Sequence, residues 1–395
     1  MPFIQKPLRR FQHGFSLVEI MMALLIGMFG VIVMMQVFSI SESQKRNATG
    51  AGDAQGAGSI ALYGIQRDLR MSGYGVAVYN LLGCNLTLPS GGVVPLAPVV
   101  INPPVATIPA GDANTDRMLV FYGGATASPQ GSEIFTNGAP VYTVSSVGVV
   151  STNDYVFTAP KPPSGPLTPQ SCASNFALDR VTAVNGNNVT VANGVGGSGL
   201  ALYSLGQLPK VLAYAVRNGN LTVCDYVVNN CGDVAQITDT TRWVPIANNV
   251  VSLRAQYGRD VNNNTPAWSK TAIEAVINAA PNAPHPPPNY VVDTYDQITP
   301  TGALPHPGIC GWARIPAVRL ALTVRNAQYE KEVVTTAAPT WEGSAATAGT
   351  ATVPANVALP IDLSNDADWQ HYRYKVFQTT VPLRNVAWMG VQALC

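Results

Sequence analysis

Between Phe15 and Ser41 the chain carries a single charge, Glu19, set in a run of Leu, Ile, Val, Met and Phe. A carboxylate placed in hydrocarbon costs about 2.5 to 3.5 kcal/mol on insertion scales, so an acid at this position is a functional residue that needs a partner. Gly14 lies immediately before the run, and the first fourteen residues hold Lys6, Arg9 and Arg10 but no acid. A secretory signal places its small-residue cleavage site after the apolar region, and here the small residue comes first. Cutting after Gly14 would remove the basic segment, leave the apolar stretch on the mature chain, and make Phe15 its amino terminus.

Other chemistry is sparser. Asp260, Asn262 and Asn264 alternate in GRDVNNNTPAW, a spacing by which a tight loop can direct oxygen ligands at calcium. Thr265 and Thr271 stand where a helix–loop–helix calcium loop carries its glycine and its bidentate acid, so a plain Asn-rich turn is the favoured reading. Six cysteines, Cys84, Cys172, Cys224, Cys231, Cys310 and Cys395, all follow the apolar run without C-x-x-C or Cys/His metal spacing. Beyond a membrane, in an oxidising compartment, they suit disulfides. VCDYVVNNCGD reads as a strand entering a turn that comes back on itself, which pairs Cys224 with Cys231. Elimination then leaves Cys310 with Cys395 and Cys84 with Cys172. The histidines, His13, His285, His306 and His371, are scattered, and GVGGSGL at 194–200 lacks the lysine and following helix of a phosphate loop. With no H-E-x-x-H, G-x-S-x-G or dinucleotide pattern, neither an enzyme nor a cofactor is expected.

The elements that must position these residues follow from composition and period. Ile20 to Ser41 is uncharged throughout; as a helix these 22 residues span roughly 33 Å, enough to cross a hydrocarbon core of about 30 Å. The basic residues before it hold that end in the cytoplasm and send the rest outward. Residues 41–75 should continue the helix. Four glycines in ATGAGDAQGAG (48–58), each costing up to about 1 kcal/mol in a helix interior, make that part either locally melted or closely packed. SIALYGIQRDLRMSGYG restores the helical pattern, with Ile60, Leu62, Ile65 and Leu69 toward one face and Arg67, Asp68 and Arg70 leaving it, until Gly73 and Gly75 end it.

Beyond residue 76, low charge and many Gly, Pro, Asn, Ser and Thr favour short strands and turns. Strands are expected in RMLVFYG (117–123), VYTVSSVGVV (141–150) and DYVFTAP (154–160). The proline-rich stretches PSGGVVPLAPVVINPPVATIP and APKPPSGPLTP are expected to be edge loops. KVLAYAVRNGNLTVCDY is a hairpin about Asn218-Gly219. RIPAVRLALTVRNAQYEKE and HYRYKVFQTTVPLRNVAW should pair antiparallel, with Arg319, Arg325, Arg373 and Lys375 on a solvated polar face. Lys plus Arg number 23 and Asp plus Glu 22. Loss of the leader's three bases leaves a slight negative excess, which indicates no direct nucleic-acid partner.

Gly14, Phe15 and Glu19 ahead of the apolar run resemble the class III signal of type IV prepilins and type II secretion pseudopilins. IQRDLRMSGYG, WVPIANNVVSLRAQYGRD and the closing strand pair are similar to the PilW family of minor pilins. No proline interrupts the membrane helix, where major pilins commonly carry one. The resemblance implies removal of residues 1–14 by a prepilin peptidase, N-methylation of Phe15, and extraction of the helix into a filament, with Glu19 neutralising a Phe15 ammonium on its own or a neighbouring chain. The expected fold is α+β: a leader (1–14), a transmembrane assembly helix (15–40), its periplasmic continuation (41–75), and a mainly antiparallel, disulfide-containing β domain (76–395), with room for two subdomains. The expected function is a minor pilin that primes pilus assembly at the filament tip. Its implied partners are other minor pilins, the major pilin, the inner-membrane assembly platform and a tip adhesin. The alternatives are a J-type pseudopilin of a type II secretion system and a single-span periplasmic adhesin.

Overall fold

One helix, Leu17–Met71, precedes an otherwise β-rich chain. The computed structural model describes residues 14–76, 81–148, 150–160, 176–196, 200–260, 288–300, 311–344 and 356–388, and the chain divides into two compact units, 1–52 and 53–395. In the first unit the apolar run of the helix is bare, and Leu24, Phe29, Met34 and Phe38 are exposed. The glycine-rich stretch is helical, not melted.

In the second unit the same helix acquires a buried stripe. Ala54, Ala61, Ile65, Asp68, Leu69 and Ser72 are buried at spacings of three and four, the period of one helical face. Gly58 completes the series. The helix stops after Met71; Gly73 (φ 80°) and Gly75 (φ 67°) take the left-handed backbone that turns the chain away.

The main core joins this stripe to two antiparallel sheets. The five-stranded sheet runs Val244–Asn248, Asn220–Asp225, Lys210–Arg217, Met118–Tyr122, Val99–Ile101. The expected hairpin lies at its centre: Asn218 (φ 49°) and Gly219 (φ 69°) both take positive φ, as a type I′ turn requires. The Asp112 carboxylate accepts from both of their N–H groups at 2.8 Å. Val99–Ile101, expected to be loop, is a fully buried edge strand; a strand at the edge tolerates the prolines around it. VYTVSSVGVV supplies a shorter strand than expected, Val141–Val144.

The four-stranded sheet runs Thr294–Asp296, Val250–Arg259, Ala317–Arg325, Tyr374–Pro382. Its last pair is the expected antiparallel one, in register from Ala317 opposite Pro382 to Arg325 opposite Tyr374. The expected solvated face is only partly there: Arg373 and Lys375 are exposed, Arg325 is half-buried and Arg319 is buried. A hairpin, Thr340–Ser344 with Asn356–Pro360, accompanies a small core in which Trp341, Ile361 and Leu363 pack with Ala321. Arg319 is therefore buried, 3.4 Å from the centroid of the Tyr295 ring, and donates to the Glu342 carbonyl. Arg325 pairs with Asp366 (2.6 Å) over Tyr372, and Arg373 pairs with Glu330 (2.6 Å). Lys375 alternates onto the opposite, helix-facing side, where it donates to Gln55 Oε1 (2.8 Å).

Six strands between 128 and 206 close into a barrel with its own core of Ile134, Tyr142, Val144, Val156, Val181, Val189, Val191 and Leu202. A three-stranded sheet joins Asn85–Thr87 to Val93–Pro95 and Phe176–Ala177.

Cys224 and Cys231 form a disulfide across seven residues, with Cα atoms 5.9 Å apart. A closed loop this short removes about 2.5 kcal/mol of unfolded-state entropy at 25 °C in the chain-entropy treatment. Cys224→Ser/Cys231→Ser should lower the urea-denaturation free energy by that order, and an unchanged midpoint would contradict it. Tyr257 gives a pH dependence. Its buried hydroxyl accepts from the Ile101 N–H at 2.6 Å, and burial pushes its pKa up from 10.0 to about 12. Below pH 10 both folded and unfolded states keep this proton. Above it the unfolded chain ionises first, so stability falls by about 1.4 kcal/mol per pH unit for this group until the folded state also ionises near pH 12. Denaturation midpoints taken from pH 9 to 12 should show that slope, reduced in Tyr257→Phe.

Candidate assembly site

Gly14, Phe15 and Ser16 lie ahead of the first helical residue, Leu17. The Ser16 carbonyl accepts the Ile20 N–H at 3.1 Å, the first bond of the helix. The Ser16 N–H donates to Glu19 Oε2 at 3.4 Å. Ser16 thus occupies the N-cap and Glu19 the third helical position, the spacing of a capping box in which the acid reaches back to the cap's own N–H. Sequence reasoning passed over this role, although S-x-x-E at 16–19 was its signal. The Gly14–Phe15 peptide is left outside the helix, and Phe15 is 81% exposed. Glu19 is also exposed, and a carboxylate in the first turn complements the positive end of the helix dipole.

The 53–395 unit has a site of its own, the seat of the helix. Asp68 does not leave the apolar face. It stands three residues after Ile65 and seven after Ala61, on the buried stripe, and is 3% exposed. Its Oδ2 accepts from Tyr214 Oη at 2.6 Å, and its Oδ1 from Tyr122 Oη at 3.1 Å and from Arg67 Nε at 3.1 Å. Tyr214 and Tyr122 belong to neighbouring strands of the five-stranded sheet. Burial, and next the adjacent carboxylate, drive both tyrosine pKa values well above the ordinary range, so both remain donors. The hydrogen bond from Arg67 to Asp68 holds that guanidinium's pKa up.

The seat closes on the four-stranded sheet. A Cβ on Gly58 would fall 2.3 Å from Phe377 Cε2, so the ring occupies space that only glycine leaves open. Gln66 Nε2 donates to Thr379 Oγ1 at 3.4 Å. At the helix end, the Gly73 N–H donates to the Phe121 carbonyl (2.8 Å), and Asn385 Nδ2 donates to the Met71 and Ser72 carbonyls.

The remaining sequence candidates fall elsewhere. Cys84 is disulfide-bonded, while Cys172, Cys310 and Cys395 lie outside the described residues. Asp260 is buried, accepts from the Tyr290 N–H (2.6 Å) and sits 3.9 Å from Arg314 Nη1; Asn262 and Asn264 lie outside the described residues. No group of three or more His, Cys, Asp or Glu suited to a metal occurs among the described residues.

Residues 9–35 match the family model for the prokaryotic N-terminal methylation motif, and residues 214–385 match the model described as Type IV Pilus-assembly protein W, PilW. Together the two matches mark a type IV pilus-related pilin with a PilW-like region. No curated protein and no solved structure gives a significant match. The methylation motif, together with the one helix among the described residues that is long and apolar enough to cross a membrane, marks a membrane-anchored pilin. The PilW span begins at Tyr214, which grips Asp68, and includes Phe377, Thr379 and Asn385, so the family's own region contributes much of the helix seat. The barrel lies largely outside both matched spans.

Gly58→Val should force the Phe377 ring to move and destabilise the 53–395 unit by about 1 to 3 kcal/mol, as overpacking does. Adding Phe377→Ala should recover part of that loss. An identical melting temperature for Gly58→Val and wild type would show that the notch imposes no constraint.

Proposed function

We propose that this pilin is a minor pilin of the PilW family that primes type IV pilus assembly and sits at the filament tip beside other minor pilins. The observation that carries the reading is the pairing of an N-terminal assembly module with a disproportionately large cargo. Gly14, Phe15 and Glu19 stand at the start of a bare apolar helix, and that helix continues into a β-rich unit of more than 300 residues. A subunit repeated along a shaft must accommodate neighbours on every side, whereas a capping subunit has neighbours below only. The added barrel favours the second position.

In this mechanism a prepilin peptidase cuts after Gly14 and Phe15 is N-methylated. The chain then waits in the inner membrane with residues after 41 in the periplasm. The assembly platform draws the helix out. Its apolar surface exchanges lipid for the helices of other minor pilins and of the major pilin, and Glu19 neutralises a Phe15 ammonium. A tip adhesin is a further partner of the β-rich unit.

Mass spectrometry of the mature chain should find N-methylated Phe15 at its start, and Gly14→Val should abolish that product. Retention of Met1 in the mature wild-type chain would refute the assignment. Glu19→Gln keeps an acceptor for the Ser16 N–H but removes the charge, whereas Glu19→Ala removes both. Sheared pili should be depleted of both variants. Normal incorporation of Glu19→Gln would reduce the residue's role to capping. Immunogold labelling should mark pilus ends; label spread along the shaft would sink the tip placement.

A further inference from the structure

The buried stripe of the docked helix is uneven along its length. From Ala54 through Gly58 to Ala61 it consists of small residues that present little area, and Gly52 and Gly56 have no neighbour within 4 Å of an added Cβ. From Ile65 to Ser72 it is made of Ile65, Asp68, Leu69 and Ser72, all 3% exposed or less. Apart from the Phe377 ring seated at Gly58, a row of Ala and Gly offers few features, so packing specifies the rotation and axial position of that part less tightly than the larger residues beyond it do. Asp68 differs in kind. Its two oxygens engage hydroxyls on two adjacent strands, Tyr214 and Tyr122. A rotation by one residue, about 100°, or a slip by one turn, about 5.4 Å, would break both bonds and leave a buried carboxylate without them.

We propose that Asp68 is a positioning residue, a polar pin that sets the rotation and register of the assembly helix on the β-rich unit, and that residues 53–61 release from their seat before residues 65–72 do. Buried polar groups serve as register devices elsewhere, notably in coiled coils, where an apolar seam alone permits sliding. The pin itself rests on geometry; only its consequence for filaments rests on the proposed pilin function.

The test uses the full-length chain in detergent micelles. Hydrogen exchange should be slowest at 65–72 and faster toward 53. Asp68→Ala should speed exchange across 61–72 by at least about tenfold, the scale of a lost hydrogen bond to a charged group, without altering the strands Ala317–Arg325 and Tyr374–Pro382. A merely stabilising role is separated by the apolar substitute Asp68→Leu/Tyr122→Phe/Tyr214→Phe, whose melting temperature should equal or exceed that of wild type. Register is read by disulfide cross-linking of a Gln66→Cys/Thr379→Cys pair, side chains that meet in the native seat. The apolar substitute should lower that yield severalfold. If it fails to fold, Tyr214→Phe alone, which keeps Tyr122, should lower the yield to an intermediate value. Full cross-linking with wild-type exchange in these variants would overturn the pin, as would uniform exchange from 53 to 72 in the wild type. In sheared pili, variants with low cross-linking should be depleted. Absence of the wild-type chain from pili would instead refute the proposed function and leave the exchange result standing.

Discussion

A helix that is apolar on every side cannot rest in water, and this single requirement governs the molecule. Residues 17–40 bury nothing within their own chain, so their stabilisation must come from lipid or from other helices. Residues 53–71 of the same helix face the opposite demand, because they must hold a β-rich unit firmly enough to carry it. The sequence meets the two demands in two ways: an apolar run whose one charge is Glu19 in the first part, and a narrow stripe that includes a buried carboxylate in the second. The absence of any proline between 17 and 71 keeps the element continuous through the change.

How much of this was legible in the residues depends on the range of the interactions involved. The apolar run, the Gly14–Phe15–Glu19 spacing, the Asn218-Gly219 turn and the Cys224–Cys231 bridge are local, and local chemistry decides them. The pairing of Ala317–Arg325 with Tyr374–Pro382 was also readable, because both segments are rich in the β-branched and aromatic residues that favour strands. Asp68 was misread because charge was taken as a sign of exposure, although its spacing from Ala61 and Ile65 placed it on the buried stripe. Arg319 was misread for a non-local reason. The hairpin that covers it begins more than twenty residues later and carries no signal of which sheet face it will cap. The Glu19 capping role was legible and overlooked, since a membrane setting directed attention to charge rather than to the helix start.

The two parts of the β-rich region differ in their relation to the family. The PilW match runs over most of the strands that hold the helix, Met118–Tyr122 excepted, and ends two residues into the short helix Arg384–Ala387. The barrel falls before it and has an interior core of its own, while Phe157, Tyr203 and Leu205 of its strands join the main core. An interior core of its own lets the side chains inside the barrel vary with little effect on the seat, because those side chains are not the ones that grip the helix.

The capping box has a consequence for maturation. Among the described residues Glu19 has one local claimant, the Ser16 N–H. Scission after Gly14 would create an ammonium on Phe15, one residue before the cap, at the end of the helix where backbone N–H groups already concentrate positive potential. The cut would therefore do more than shorten the chain. It would turn a settled helix end into one carrying excess positive charge, with a single acid shared between two donors. A second chain presenting its own Glu19 at that depth would relieve the excess, so proteolysis would act as the event that makes the anchor attractive to its own kind.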